Sequence, residues 1–501
     1  MNNHASRARI VNLGLALAAL GGALGCGATP DVEITIESRN DATKAYPPPK
    51  NGRVLPNLGQ LTGLSLSPKV LVPAFSPDVH DYVVRCGEGA NPVTLSASSS
   101  GGRVYLVTPA AAAPLDGYVA ESLFPNGAVM VQAAGGEYWV RCLPPDFPDL
   151  VATVGPGVRT PGFYVAASDA AGDRAPYVMV LDEQGTPVYY QRGSGAGFRR
   201  VEAFSAGTLT FSASQSPVDK ESKGFVTITL EPYSESWINA AEPEHDHYAD
   251  PVGFVRTPSH QTWLVTHERI GPPASDPSAR PVLDCVVQHL DAMNQLVDRW
   301  SASAHVDASE VLHPEVVAVG GELYDDPYGC SGLDATPAGD VLLTAKGLGA
   351  VLLIQPDGTV RWKLGGTVPV APETATLAMA AGEELAAPED ARFVQGNWIS
   401  VYDGGGDVAR AVEYLVDPDA KLASTVHTVV GSEKGPGGGY RAYADGSRVV
   451  TWGKSGRSQE VDADGKPAIT LQLGGGSPAA VGKVPLWYFD RSVLRRGIVL
   501  N

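Results

Sequence analysis

"VLLIQPDGTVRWKLGG", residues 351–366, is a short apolar strand, a Pro-Asp-Gly turn and a second apolar strand. Asp-Gly between two apolar runs is a hairpin signal, because Gly adopts the left-handed backbone and Asp caps the turn with its own carboxylate. The form returns as "VMVLDEQGTPVYY" from Val178, "VVQHLDAMNQLVDRW" from Val286, "VEYLVDPDAKLASTV" from Val412 and "SQEVDADGKPAITLQL" from Ser458. A second strand pair precedes most of these, as in "ATPAGDVLLTAK", "RFVQGNWISVYD" and "AYADGSRVVTWG". Two hairpins make a four-stranded sheet, and such sheets repeated along a chain bury their faces against one another as the blades of a β-propeller. Five clear units and a degenerate one at "GTLTFSAS" predict six blades, with insertions stretching the spacing from about 45 to above 60 residues.

Composition agrees with an all-β chain. Gly 57 and Pro 40 against 18% charged residues favour many strands joined by tight turns. A length of 501 residues exceeds one ordinary core and predicts more than one folded unit. With 37 basic and 55 acidic residues the formal charge is −18, and no basic stripe interrupts it, so no nucleic-acid partner is expected.

The first residues carry an address. Arg7 and Arg9 precede the apolar run Ile10 to Leu24, which has the length of a signal-peptide core and is short for a membrane span. Ala23-Leu24-Gly25-Cys26 resembles the lipobox of bacterial lipoproteins, although Leu is usual where Ala23 stands; the alternative is a plain secretory signal with an incidental Cys. The resemblance implies a signal peptide over 1–25, lipidation of Cys26 and attachment to the cell envelope through several acyl chains. Gly27 after the Cys points to the outer membrane under the sorting behaviour of that family. Residues 26–55, with Pro47 to Pro49 and no periodicity, read as an extended linker.

Four cysteines remain, an even number with three connectivities open. Cys86 and Cys142 sit in twin contexts, "YVVRC" and "YWVRC", which favours their pairing and leaves Cys285 for Cys330. In a reducing compartment all four would be buried thiols. Residues 56–148 show short alternating strands separated by Ser-Pro and Pro-Asp turns, the pattern of a β-sandwich. Leu61, Leu64, Leu66, Leu71-x-Pro73-x-Phe75-x-Pro77 and Tyr82-x-Val84 resemble the cadherin-like sandwich domains of bacterial surface proteins, which implies a spacer or accessory module with Phe75 and Tyr82 in its core.

Within 149–501 a second resemblance is carried by "YGCSGLDATPAGDVLLTAKGLGAVLLIQPDGTVRWKLGG" from Tyr328, "EDARFVQGNWISVYDGGGDVARAVEYLVD" from Glu389 and "YRAYADGSRVVTWG" from Tyr440. In this order the Trp-x-Leu-Gly-Gly strand end, the Asp-Ala-Arg strand start and the Asp-Gly-Gly exit resemble the arylsulfotransferase family of six-bladed propellers. That resemblance implies an exported enzyme that needs no nucleotide sulfate donor. It would move a sulfuryl group from an aryl sulfate to a phenol through a sulfated histidine. Imidazole suits this role because it is a neutral nucleophile near pH 7 and a good leaving group once loaded.

The residues at the matching positions depart from that pattern. Glu389-Asp390-Ala391-Arg392 stands where the family has His-Asp-Ala-Arg, so Glu389 occupies the nucleophile position. Gly329-Cys330-Ser331-Gly332 replaces His-Ile-Asn-Ser, Lys346 replaces the family arginine, and a third expected histidine falls near Val252. Lys keeps the charge of Arg without its bidentate fork.

Three functions follow from these substitutions. The first is a non-catalytic relative that binds a small aryl or glycan-like ligand, or an envelope protein, at the axial face. The second is an active sulfotransferase that recruits His245 or His247 from "EPEHDHYADP". The third is a metal-assisted hydrolase or lyase built on Glu389, Asp390, Lys346 and Arg392. No cofactor is expected; a divalent metal would fall to His245 and His247 as an i, i+2 pair, against the alternative of a solvated loop. His267-Glu268 reads as a strand-end surface pair, and Asp403 with Asp407 as a turn exit that only weakly resembles a calcium loop.

Overall fold

The computed structural model describes residues 60–109, 113–133, 136–193, 197–214, 222–241, 247–272, 276–432, 434–443, 445–474 and 478–496. The signal segment 1–25, Cys26, the linker 26–55 and His245 lie outside the described residues.

The first unit is a two-sheet sandwich. Leu61–Ser67, Asn91–Ser99 and Tyr118–Leu123 form one sheet; Asp81–Arg85, Gly136–Leu143, Ala128–Ala133, Tyr105–Thr108 and Ala113–Pro114 form the other. Alternation puts Leu61, Leu64 and Leu66 of the first sheet against Tyr82, Val84 and Val140 of the second. Phe75 is only partly buried beside this core. Cys86 bonds to Cys142, with Cα atoms 5.6 Å apart.

Six four-stranded blades follow, each with its strands ordered from the axis outward. Blade 1 is Pro478–Val484, Phe163–Ser168, Tyr177–Leu181 and Pro187–Arg192; blade 2 is Gly197–Glu202, Thr208–Ser214, Ser222–Leu230 and Tyr233–Ile238. Blade 3 is His247–Arg256, Thr262–Ile270, Val282–Leu290 and Leu296–Ser301; blade 4 is Cys330–Ala335, Val341–Ala345, Ala350–Ile354 and Val360–Gly365. Blade 5 is Pro388–Gln395, Trp398–Asp403, Arg410–Asp417 and Leu422–Val430; blade 6 is Gly439–Ala442, Arg448–Thr451, Arg457–Val461 and Pro467–Gly474. The six innermost strands neighbour one another in a closed ring.

Closure is double. Pro478–Val484 pairs with Phe163–Ser168 as the innermost strand of blade 1, and Asp149–Val154 pairs with Pro467–Gly474 on the outside of blade 6. Between blades 3 and 4 an insertion forms the hairpin Glu315–Val319 and Glu322–Asp326.

The repeated Asp-x-x-Gly is explained by its geometry. Asp182 Oδ1 accepts from the amides of Gln184 and Thr186, both at 2.9 Å, while Gly185 has φ +77°. Asp462 does the same for Asp464 and Lys466, at 3.0 and 2.9 Å, with Gly465 at +77°. Where the sequence has Asn294 or Lys421 instead of Gly, the residue still takes positive φ, at 61° and 53°. Each blade-to-blade seam then holds its own apolar cluster. Val265, Val287, Leu343 and Leu352 fill the seam of blades 3 and 4, where Cys285 bonds to Cys330. Leu353, Leu364, Val401 and Val412 fill that of blades 4 and 5.

Candidate functional site

Inner strands meet at the axis, where apolar side chains would be expected, yet charged groups gather there from four blades. Arg200 and Glu202 come from blade 2, Asp334 from blade 4, Asp390 and Arg392 from blade 5 and Arg441 from blade 6, all buried or nearly so. Arg441 Nη2 donates to Glu202 Oε1 at 2.5 Å, and its Nη1 pairs with Asp390. Arg200 Nη2 reaches Glu202 Oε1 at 2.9 Å, and Arg392 Nε donates to Asp390 Oδ1 at 2.9 Å. Arg392 Nη1 also donates to the Leu333 carbonyl at 2.7 Å, so the cluster ties blades 2, 4, 5 and 6 together.

A β-bulge aims these groups. Pairing of Pro388–Gln395 with Trp398–Asp403 slips between Glu389 and Arg392, and Asp390 takes φ +51°. Gly332 permits this, since a Cβ there would lie 2.8 Å from Asp390 Cα. Ala391 is braced by its amide donating to Thr344 Oγ1 at 2.9 Å.

Burial alone would raise the Glu202 carboxyl, but Arg441 and Arg200 outweigh it and hold it below its usual range. Burial would lower Arg441, but Asp390 and Glu202 push it up instead. Asp334 differs: burial lifts it to about 7, against the opposing amides of Phe393 and Ala335. Three guanidiniums against Glu202 and Asp390 leave one positive charge when Asp334 is protonated, and none when it ionises.

Lys346 and Glu389 sit apart from that cluster, at the end where the inner strands begin. Glu389 is buried, and its Oε2 accepts from the amides of Gly437 at 2.6 Å and Gly438 at 3.1 Å. Burial raises its carboxyl to about 7, opposed by the Gly437 amide and by Lys346. Lys346, on the turn after Val341–Ala345, pairs with Glu315 of the inserted hairpin. The four candidates thus split into an axial pair, Asp390 with Arg392, and an entrance pair, Glu389 with Lys346.

One other expectation is corrected. His267 is not a strand-end surface residue: it is buried, stacks on Tyr248 and places Nε2 3.1 Å from Asp250 Oδ2. In register it lies between the buried Tyr248 and Cys285 of the adjoining strands, which draws it inward. Glu268 pairs with Arg299. Asp403 is a turn exit, with Oδ1 accepting from Ala387 at 2.8 Å and Oδ2 from Arg410 at 3.1 Å. His247 begins the inner strand of blade 3 and pairs in register with Glu268. Among the described residues no group of three His, Cys, Asp or Glu is placed to hold a metal ion, and no helix is long and apolar enough to cross a membrane.

Sequence reasoning missed Arg200, Glu202, Asp334 and Arg441. Their signal was a charged residue inside an apolar inner strand, as in "YRAYADG" and "GFRRVEAF".

Comparison with known proteins gives one family. Residues 254–474 match the family model described as Arylsulfotransferase (ASST), and with the strand topology above this makes the region an arylsulfotransferase-like β-propeller. No curated protein matches. Solved structures with some likeness include a protein of unknown function from Bacteroides caccae, 13% identical over 65% of this chain and 99% of that one, TM-score 0.40. The periplasmic gluconolactonase PpgL of Pseudomonas aeruginosa is 11% identical over 65% and 100%, TM-score 0.37. Virginiamycin B lyase from Staphylococcus aureus is 10% identical over 65% and 99%, TM-score 0.29. At these scores the three likenesses carry no inference about function.

Proposed function

We propose that this arylsulfotransferase-related propeller binds a small aryl or glycan-like ligand at its axial face and does not transfer sulfuryl groups. The observation that carries this reading is Glu389. It stands at the position matching the family's nucleophilic histidine, and two backbone amides hold its Oε2. When ionised, the carboxylate repels an anionic sulfate ester, and when protonated it lacks the nucleophilicity of a neutral imidazole. Nearby, Asp390 and Arg392 are engaged with each other, and Lys346 with Glu315.

The test is release of p-nitrophenol from p-nitrophenyl sulfate with phenol as acceptor, using protein lacking residues 1–26. No turnover is expected, and turnover that disappears on replacing His245 and His247 by Ala would overturn the proposal in favour of relocated imidazoles.

A second reading, an acid–base hydrolase or lyase, is favoured by one feature: Glu389 titrates near neutrality beside the charge of Lys346. A second assay arm with added divalent metal, and Glu389→Gln alongside the native chain, separates it from pure binding.

Location belongs to the same proposal. On this reading the chain is a lipoprotein of the bacterial envelope, held at the outer membrane by acyl chains on Cys26. Palmitate labelling lost in Cys26→Ala is the expected result; retained labelling would exclude this anchor.

A further inference from the structure

We infer that the cleft between blades 3 and 4, on the propeller face opposite Glu389 and Lys346, is a binding site for a neutral saccharide. This site is independent of the axial one. In a four-stranded blade the turns joining strands 1–2 and 3–4 share one face, and the 2–3 turn lies on the other. Lys346 is on a 2–3 turn, whereas the cleft is walled by the 1–2 turn at Pro337 and the 3–4 turn at Gly358. Its volume is ≈ 380 Å³, within the roughly 300–1,000 Å³ of small-molecule sites.

Three strands of blade 3 present a row to this cleft. Trp263 pairs across strands with His289, and His289 with Asp298. The Trp263 and His289 rings stack with centroids 4.2 Å apart and planes within 3° of parallel, which fixes the imidazole plane. Trp300 Nε1 donates to the Gly358 carbonyl at 3.1 Å and so fixes the opposite wall. Gln261 and Gln355 complete the polar lining.

His289 Nε2 is buried and has no hydrogen-bond partner in the protein, although buried polar atoms nearly always have one. Burial favours the neutral imidazole, opposed by Asp298 and Asp291. Arg299, also at the cleft, is ion-paired with Glu268. The cleft therefore offers the edges of two nearly buried indoles, the amides of two glutamines, the partly buried His289 ring and one exposed carboxylate. A small saccharide matches this set, with C–H groups for the indole edges and the exposed Val297 and hydroxyls for Asp298 and the glutamines. An aliphatic ligand would leave those groups desolvated, and an anion would face Asp298.

Cellobiose and N,N′-diacetylchitobiose serve as neutral probes, glucuronate and glucosamine as charged controls, with tryptophan fluorescence and saturation-transfer NMR as readouts. A saturable response to a neutral probe is expected, weakened at least tenfold in Asp298→Ala and in His289→Ala. Asp298 is exposed, so its substitution decides the matter even if His289→Ala loosens the Trp263 stack. Absence of any saturable response, a response that both substitutions leave intact, or a preference for a charged control would overturn the inference.

Discussion

Arg495, in the final helix Arg491–Arg496, donates from Nη2 to Asp81 Oδ2 at 2.8 Å, although 414 positions separate the two residues. Asp81 belongs to the sandwich, and the same carboxylate also receives Arg141 at 2.9 Å and Arg491 at 3.2 Å. Arg491 continues to Glu183 on a turn of blade 1 at 2.9 Å. One buried carboxylate thus fastens the sandwich, the first blade and the helix Arg491–Arg496. Val83, Leu143 and Phe147 extend the contact by packing with Tyr177 and Tyr190. The sandwich is a docked domain and not a loosely strung spacer.

Asp81→Asn leaves Arg141, which has no exposed surface, without its counter-ion. Removing one partner of a buried pair costs about 3–5 kcal/mol. Urea denaturation is expected to show this loss, together with separation of sandwich and propeller into two transitions. A loss under about 1 kcal/mol would remove the fastening role from Asp81.

Glu389→Gln reads the entrance carboxyl through pH. Because the folded-state value is raised to about 7, the group's contribution is fully present below the unfolded value of about 4.3 and is lost as pH rises through 7. The native protein should therefore lose stability between pH 5 and 8, and Gln at this position should remove part of that slope. Asp334 and Asp182, both also near 7 from burial, retain the remainder. Melting curves at pH 5, 6.5 and 8 that run parallel for the two proteins would refute the assignment.

Arg441→Met withdraws the guanidinium that joins Glu202 to Asp390. A loss of about 3–5 kcal/mol is expected. Adding Glu202→Gln should recover part of it, because the carboxylate that was left short of a partner is then neutral. Strictly additive losses in this double-mutant cycle would show that the two residues act separately.

The Cys285–Cys330 bond spans 45 positions and links blade 3 to the inner strand of blade 4. Loop-closure entropy for such a span gives about 4 kcal/mol. Cys285→Ala with Cys330→Ala should lower the denaturation midpoint accordingly, while leaving the Cys86–Cys142 bond detectable by mass spectrometry under non-reducing conditions.

The blades were legible because each hairpin announces itself locally: an Asp whose carboxylate caps its own turn and a Gly, or a tolerant Asn, at positive φ. Ring closure was not, since Phe163–Ser168 takes its inner partner from Pro478–Val484, about three hundred residues away, and no local pattern encodes that pairing. The disulfides were legible from the twin "YVVRC" and "YWVRC" contexts. At the site, Glu389 and Lys346 could be placed by motif, but Arg200, Glu202 and Arg441 could not. A charge looks like a surface residue until the opposite charge that neutralises it is brought in from another blade.

The double strap has a consequence for biosynthesis. A ribosome working toward the C-terminus completes blades 2 to 6 before the strand at 478–484 exists, so the nascent ring stays open, with the Phe163–Ser168 edge unpaired, until that strand emerges. A chain terminated near residue 470 would keep most of its hairpins yet expose a raw sheet edge, an invitation to aggregation or proteolysis. Ring closure therefore waits on synthesis past residue 484.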